Sequence, residues 1–188
     1  MIREKMENHI EQKEYTMSAG KANALSLFLF IPLALLSWIP YFLIWGKSFF
    51  KPEYAKPFLF GLNICTVAFM VSIVLHELIH GFCWSLFARN GWKSIHFGVV
   101  WKYLLPYCHC KEPLTAKQYR IGLLMPTILL GVLPVIYGLI TGSFYAIFYG
   151  SLMLLAGGGD LLVFLMMRYL DNETCVKDHP SKIGFIVE

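Results

Sequence analysis

The stretch VLHELIHGF, from Val74 to Phe82, places a His-Glu-x-x-His motif inside a long apolar run. Residues four apart lie on one face of a helix, so His76 and His80 can direct two imidazoles at one point. Glu77 lies between them in angle and can reach a water held there. Two neutral nitrogens on Zn²⁺ and a carboxylate that accepts a proton from that water are the parts of a zinc peptidase. The alternative is a pair of core histidines and a glutamate satisfied by their neighbours.

Composition indicates a membrane protein. The chain has 188 residues, of which 57% are hydrophobic and only 15% charged, whereas soluble domains carry about 25% charged residues. In a membrane protein, the net charge of +4 bears on topology. The sequence has no nucleic-acid-binding motif, so we expect the lipid bilayer, and not a nucleic acid, as a partner. An odd number of cysteines, five, argues against a secreted disulfide framework.

The predicted fold is an all-α membrane protein with four transmembrane helices and a small cytosolic β-hairpin-like insertion. Each of four apolar stretches is long enough for a bilayer core of about 30 Å. The predicted spans are Ala24 to Trp45, Pro57 to Ala88, Tyr119 to Ile140 and Phe144 to Tyr169. The chain then divides into an N-terminal arm (1–22), helical or loose, a membrane domain (23–170) that contains the insertion (90–118), and a C-terminal tail (171–188).

The insertion alternates apolar and other residues from Ile95 to Tyr103, which indicates a strand or hairpin interrupted by Pro106. Such a segment either offers an edge strand to an extended peptide or lies against the membrane surface. Cys108-His109-Cys110 lacks a fourth ligand at any recognisable spacing, so a second metal site is disfavoured. In the tail, Asp178-His179-Pro180 is most simply a turn.

Basic residues orient the chain. Thirteen of the 16 lysines and arginines fall in the arm, the insertion, the tail and the adjoining span ends, and only Lys47, Lys51 and Lys56 fall on the opposite side. The positive-inside rule therefore predicts that both termini are cytosolic.

A catalytic zinc requires a third protein ligand. Glu112 belongs to the cytosolic insertion, whereas Asp160 is the one charged residue within the fourth span before its basic end and follows three glycines. At 1.5 Å per residue, His76 lies about 28 Å and Asp160 about 26 Å along parallel spans, so the two share a level. The glycines would let the helix bend or unwind beside the metal. The alternative is that Asp160 pairs with Arg168 or with a buried polar group, and that the glycines serve only helix packing.

The motif at His76–Gly81, the basic hairpin-like segment and Gly159-Asp160 resemble a family of bacterial membrane proteins described as zincin peptidases. The likeness covers roughly Val74 to Glu188. The chain is more distantly similar to site-2 proteases, although Gly159-Asp160-Leu161 stands where those enzymes have Leu-Asp-Gly. The resemblance implies zinc ligands His76, His80 and Asp160, catalytic Glu77, and a place in the cytoplasmic (inner) membrane.

The sequence therefore predicts a zinc-dependent metalloprotease that hydrolyses peptide bonds of a membrane protein or peptide near the cytosolic leaflet. One alternative is a non-catalytic membrane scaffold or regulator that retains the metal site. Another is a metal or proton transporter in which the same side chains line a pathway. The oligomeric state is left open.

Overall fold

The protein is described by a computed structural model that covers residues 13–49, 55–101, 105–180 and 182–188. About 69% is helical, with two small antiparallel sheets. The predicted arm up to residue 12, residues 50–54 of the loop after the first span, and residues 102–104 of the insertion lie outside the described part.

The helices follow the apolar stretches. Two long helices, α1 (Ala19–Phe49) and α2 (Ala55–Ser85), are followed by a continuous helix that contains α3 (Ala116–Pro126), a π-helical segment (Thr127–Val132) and α4 (Leu133–Thr141). After a turn come α5 (Phe144–Ala156), α6 (Gly158–Met166) and a 3₁₀ turn (Met167–Tyr169). The α5–α6 pair bends by 48° at Gly157.

Three of these helices are long and apolar enough to cross a membrane, and a fourth crossing results if the bent pair counts as one span. Many of their large apolar side chains face outward, among them Phe28, Leu36 and Leu43 on α1 and Phe60 and Val67 on α2. Exposure of this much apolar surface to water is unfavourable by about 25 cal/mol per Å². The helices are therefore compatible with a multi-pass membrane protein.

Local sequence sets the helix ends. Thr115 and Gln118 form a capping box at the start of α3. α4 ends at Gly142, whose φ of 74° is the left-handed conformation of a helix C-cap. Ser143 then caps α5 by accepting a hydrogen bond from the backbone N–H of Ala146. A tight turn at residues 141–143 thus joins α4 to α5.

Two sheets lie at one end of the helices. A hairpin pairs β2 (Ile95–Val100) with β3 (Leu105–Cys110). A 3₁₀ turn (Gly91–Ser94) leads into it. The second sheet has the order β1-β6-β5-β4, with strands Lys13–Met17, Ile183–Val187, Cys175–Asp178 and Leu114–Thr115.

The four-stranded sheet is a departure from the predicted fold class, which contained a hairpin but no other β-structure. Residues 13–17 of the arm form an edge strand rather than a helix or a loose segment, and the tail forms a β5–β6 hairpin. Short strands paired across the whole chain leave little local periodicity, so pattern alone did not reveal them. The predicted turn at Asp178-His179-Pro180 is confirmed, because it joins β5 to β6.

Two buried clusters hold the elements together. One contains Tyr41, Val135, Ile147 and Leu154, and joins α1, α4 and α5. The other joins the end of α2, the hairpin, α3, α6 and the four-stranded sheet; its members include Trp84, Tyr119, Met167, Val176 and Phe185. The sheet is therefore packed onto the same end of the helices as the hairpin.

Gly184→Ala should detach β1 from the sheet. Gly184 has a φ of 135°, and a Cβ there would lie 2.0 Å from the carbonyl oxygen of Tyr15. Strained backbone of this kind costs about 1–3 kcal/mol, so we expect the melting temperature in detergent to fall by several degrees. The control is Gly20→Ala, where a Cβ meets nothing within 4 Å. Equal melting temperatures for the two variants would contradict the close β1–β6 contact.

Candidate metal centre

Three donor atoms from distant parts of the chain meet at one point. His76 Nε2 lies 2.9 Å from Asp160 Oδ2, and His80 Nε2 lies 3.4 Å from the same oxygen. The two imidazole nitrogens are 3.1 Å apart. Within the part of the chain that the structure describes, these three residues form the one group of His, Cys, Asp or Glu side chains able to hold a metal ion.

Two helix features create this meeting point. The i, i+4 spacing on α2 puts both imidazoles on one face, with ring centroids 4.8 Å apart. On the other side, the bend at Gly157 starts a new helix, so Asp160 lies in the first turn of α6. An acidic side chain is favoured there by the helix dipole. The expectation that the glycines allow a bend beside the site is confirmed.

A backbone carbonyl fixes the tautomer of His80. Its Nδ1 lies 2.9 Å from the carbonyl oxygen of Gly122. A carbonyl only accepts, so Nδ1 carries the proton and donates it to this bond. In the neutral ring, Nε2 then presents a lone pair to His76 and Asp160, as a metal ligand must.

His76 is held differently. Its Nε2 faces the site, while its buried Nδ1 has no hydrogen-bond partner among the described residues. The ring orientation therefore depends on packing and on the atoms at the centre of the site, rather than on a partner behind it.

The donor set fits a divalent metal ion. Ligands at 2.0–2.1 Å from a tetrahedral zinc are about 3.3–3.4 Å apart, and the three observed separations range from 2.9 to 3.4 Å. Three electron-rich atoms this close need a proton or a metal ion between them, and a metal ion would serve all three at once. The two negative charges of Asp160 and Glu77 would balance the two positive charges of Zn²⁺. A site with no net charge suits a position surrounded by apolar helices.

Glu77 lies beside the three donors and beneath the hairpin. Lys111 donates its backbone N–H to the carbonyl of Ser94, so by alternation the N–H of Cys108 points to the free edge of β3. There it hydrogen-bonds the Glu77 carboxylate, which is also near both imidazoles and Asp160. The free edge of β3 thus runs past the site.

The other candidates do not join this site. Cys108-His109-Cys110 brings together no metal-binding group in the described chain. Burial raises the pKa of the Cys108 and Cys110 thiols, and nearby carboxyl groups raise it further, so both stay protonated at neutral pH. Glu112 accepts hydrogen bonds from Asn90 instead. Arg168 packs over the ring of Tyr169, 4.5 Å from its centroid.

Sequence reasoning missed several groups that support the site. They are the Gly122 carbonyl, the Cys108 backbone N–H, and the rings of Trp84 and Tyr119. Trp84 stacks on His80 with centroids 5.0 Å apart. A signal for Trp84 was available, since it lies four residues after His80 on the same helix face. The two backbone groups carry no signature in residue identity.

Gly122→Ala should weaken metal binding. A Cβ at residue 122 would lie 2.0 Å from Trp84 Nε1, so α3 must move away from Trp84. The hydrogen bond from His80 to the carbonyl of residue 122 would then be lengthened or lost. Loss of a ligand's outer partner typically reduces metal affinity about 10–100-fold, which competition with a chromogenic chelator would measure.

The matched control is Gly138→Ala in the same long helix. It creates a comparable clash, 2.7 Å from Ile147 Cγ1, in the other buried cluster. We expect a lower melting temperature with unchanged zinc affinity. If both variants lose affinity equally, the Gly122 carbonyl has no specific role.

Comparisons with known proteins agree with this geometry. The model of a protein family described as "Putative zincin peptidase" matches residues 69–175, more than half of the chain and the part that contains all four candidate residues. That family suggests a metallopeptidase and implies a metal ion. Searches of curated proteins and of solved structures found no match. On the family match, the chain belongs to the putative zincin peptidase family.

Proposed function

We propose that this protein is a membrane-embedded zinc metalloprotease of site-2 protease type, which hydrolyses peptide bonds near the cytosolic leaflet. One observation carries the proposal. His76 and Asp160, 84 residues apart, place donor atoms 2.9 Å from each other beside a half-buried glutamate, within helices whose outer surfaces are apolar.

The charge distribution supports the depth and orientation. The sheet and hairpin end carries most of the basic residues in the described chain, among them Lys13, Arg89, Lys93, Lys111, Lys117, Arg120, Arg168, Lys177 and Lys182. β1 pairs with β6, so the two terminal segments lie on the same side. By the positive-inside rule this side is cytosolic, in the cytoplasmic (inner) membrane.

The proposed ligands are His76, His80 and Asp160. When bound there, zinc would polarise the scissile carbonyl and acidify a water. Glu77 accepts a proton from this water and later delivers it to the leaving amine. The Asp160 side chain is 22% exposed, so the carboxylate is not sealed off by the surrounding protein.

The proposed substrate is a membrane protein or peptide in extended form. Helical segments must unwind before hydrolysis, and a free strand edge can hold the unwound chain. The sequence suggested the segment from Ile95 for this role. The edge next to Glu77 belongs to β3 instead, with Pro106 on that edge, where no ladder hydrogen bond is required.

Glu77→Gln should separate catalysis from metal binding. The amide keeps the size of the side chain but cannot accept the proton, so hydrolysis should fall at least about 100-fold while zinc remains bound. Elemental analysis of purified protein would measure zinc. The substrate would be identified by new protein termini that form in membranes containing the wild type but not in those containing the variant. The rate would then be measured on a peptide that spans the cleaved bond.

The matched control is Glu112→Gln, which should retain both zinc and hydrolysis. Asp160→Ala and His76→Ala should lose zinc. If the zinc-loaded Glu77→Gln variant fully restores function in cells that lack the wild-type protein, hydrolysis is refuted as the role and a scaffold is favoured. Zinc flux into proteoliposomes that contain the wild type would favour a transporter.

A further inference from the structure

Asp178, at the end of β5, makes two side-chain contacts that the turn after it does not need. Its Oδ1 accepts a hydrogen bond from the Tyr119 hydroxyl at 2.6 Å, and its Oδ2 lies 3.1 Å from His109 Nδ1. The turn is closed by other groups, since the His179 backbone N–H bonds the Gly184 carbonyl and the Lys182 N–H bonds His179 Nδ1. The carboxylate of Asp178 therefore links the tail to two other elements.

The first link runs to Glu77. His109 is the neighbour of Cys108, whose backbone N–H bonds the Glu77 carboxylate. The hairpin has two strands, and β3 pairs only with β2 among the described strands. A two-stranded hairpin is marginally stable by itself, so the contact of His109 with Asp178 helps to fix where β3 lies over the site.

The second link runs to His80. The ring of Tyr119 stacks on Trp84 with centroids 5.1 Å apart and planes at 14°, and Trp84 stacks on His80 at 5.0 Å and 15°. Trp84 Nε1 also donates to the backbone carbonyl of Tyr119. Because these three rings are in contact, a displacement of the Tyr119 ring would move Trp84 and, through it, His80.

We propose that Asp178 is a positioning residue that holds Glu77 and His80 in their relative places from outside the site. A single carboxylate controls the strand above the glutamate and the aromatic stack behind the imidazole. This inference rests on the proposed function for the role of Glu77, but its effect on the metal centre does not depend on hydrolysis.

The test uses the full chain in detergent with Zn²⁺ or Co²⁺. Asp178→Asn removes the charge that holds His109 and weakens the bond to Tyr119. We expect zinc affinity to fall about tenfold, and the visible spectrum of the cobalt protein to shift as His80 turns. On a cleavable peptide, kcat should fall about tenfold or more with little change in KM, because a small displacement of a catalytic group affects the reaction step.

The matched control is Glu173→Gln, the same acid-to-amide change on an exposed tail residue. It should leave the affinity, the spectrum and the rate unchanged. Single-link variants separate the two routes. Tyr119→Phe should change zinc affinity and the cobalt spectrum, whereas His109→Gln should lower kcat with zinc affinity intact.

Unchanged affinity and an unchanged spectrum in Asp178→Asn would overturn the proposal. If that variant does not fold, the single-link variants decide: wild-type affinity in Tyr119→Phe together with wild-type kcat in His109→Gln would overturn it. If neither the wild type nor any variant cleaves a peptide, the proposed function fails. The zinc affinity and the cobalt spectrum of the variants still test the positioning of His80.

Discussion

Two imidazole nitrogens and a carboxylate oxygen within 3.4 Å of one another are the constraint on which this structure depends. Lone pairs at that distance repel each other unless a proton or a metal ion lies between them, and a low-dielectric setting strengthens both the repulsion and the compensation. The same side chains in water would have no reason to meet. Their position between apolar helices is what makes a divalent ion the natural partner.

Other elements of the fold bring these three side chains together and support them. The break between α5 and α6 allows a carboxylate to enter an otherwise apolar span at the depth of the histidines. The close approach of α3 to Trp84, possible because residue 122 has no side chain, puts a carbonyl behind His80. The hairpin then supplies a backbone N–H for Glu77. The groups of the site come from four elements, α2, α3, α6 and the hairpin, so the site exists only in the assembled protein.

Sequence alone could identify the three clustered side chains but not the groups that support them. His76 and His80 were predictable because helical periodicity fixes their separation, and Asp160 because a lone acid in an apolar span is costly without a purpose. Gly122 and Cys108 act through backbone atoms, which any residue possesses. The sheet was hidden for a related reason: β1 and β6 recognise each other across the length of the chain, and two-residue β4 is too short to show a period.

The pairing of Lys13 with Val187 orders events during synthesis. β1 is synthesised before all the described helices, yet its partner β6 follows all of them. Closing so long a loop carries a large entropic penalty unless the helices have already gathered. We therefore expect the four-stranded sheet to form after the helices have packed together. Until translation reaches that strand, the nascent chain contains His76, His80 and Asp160 but lacks one strand of the sheet that packs on the end of the helices.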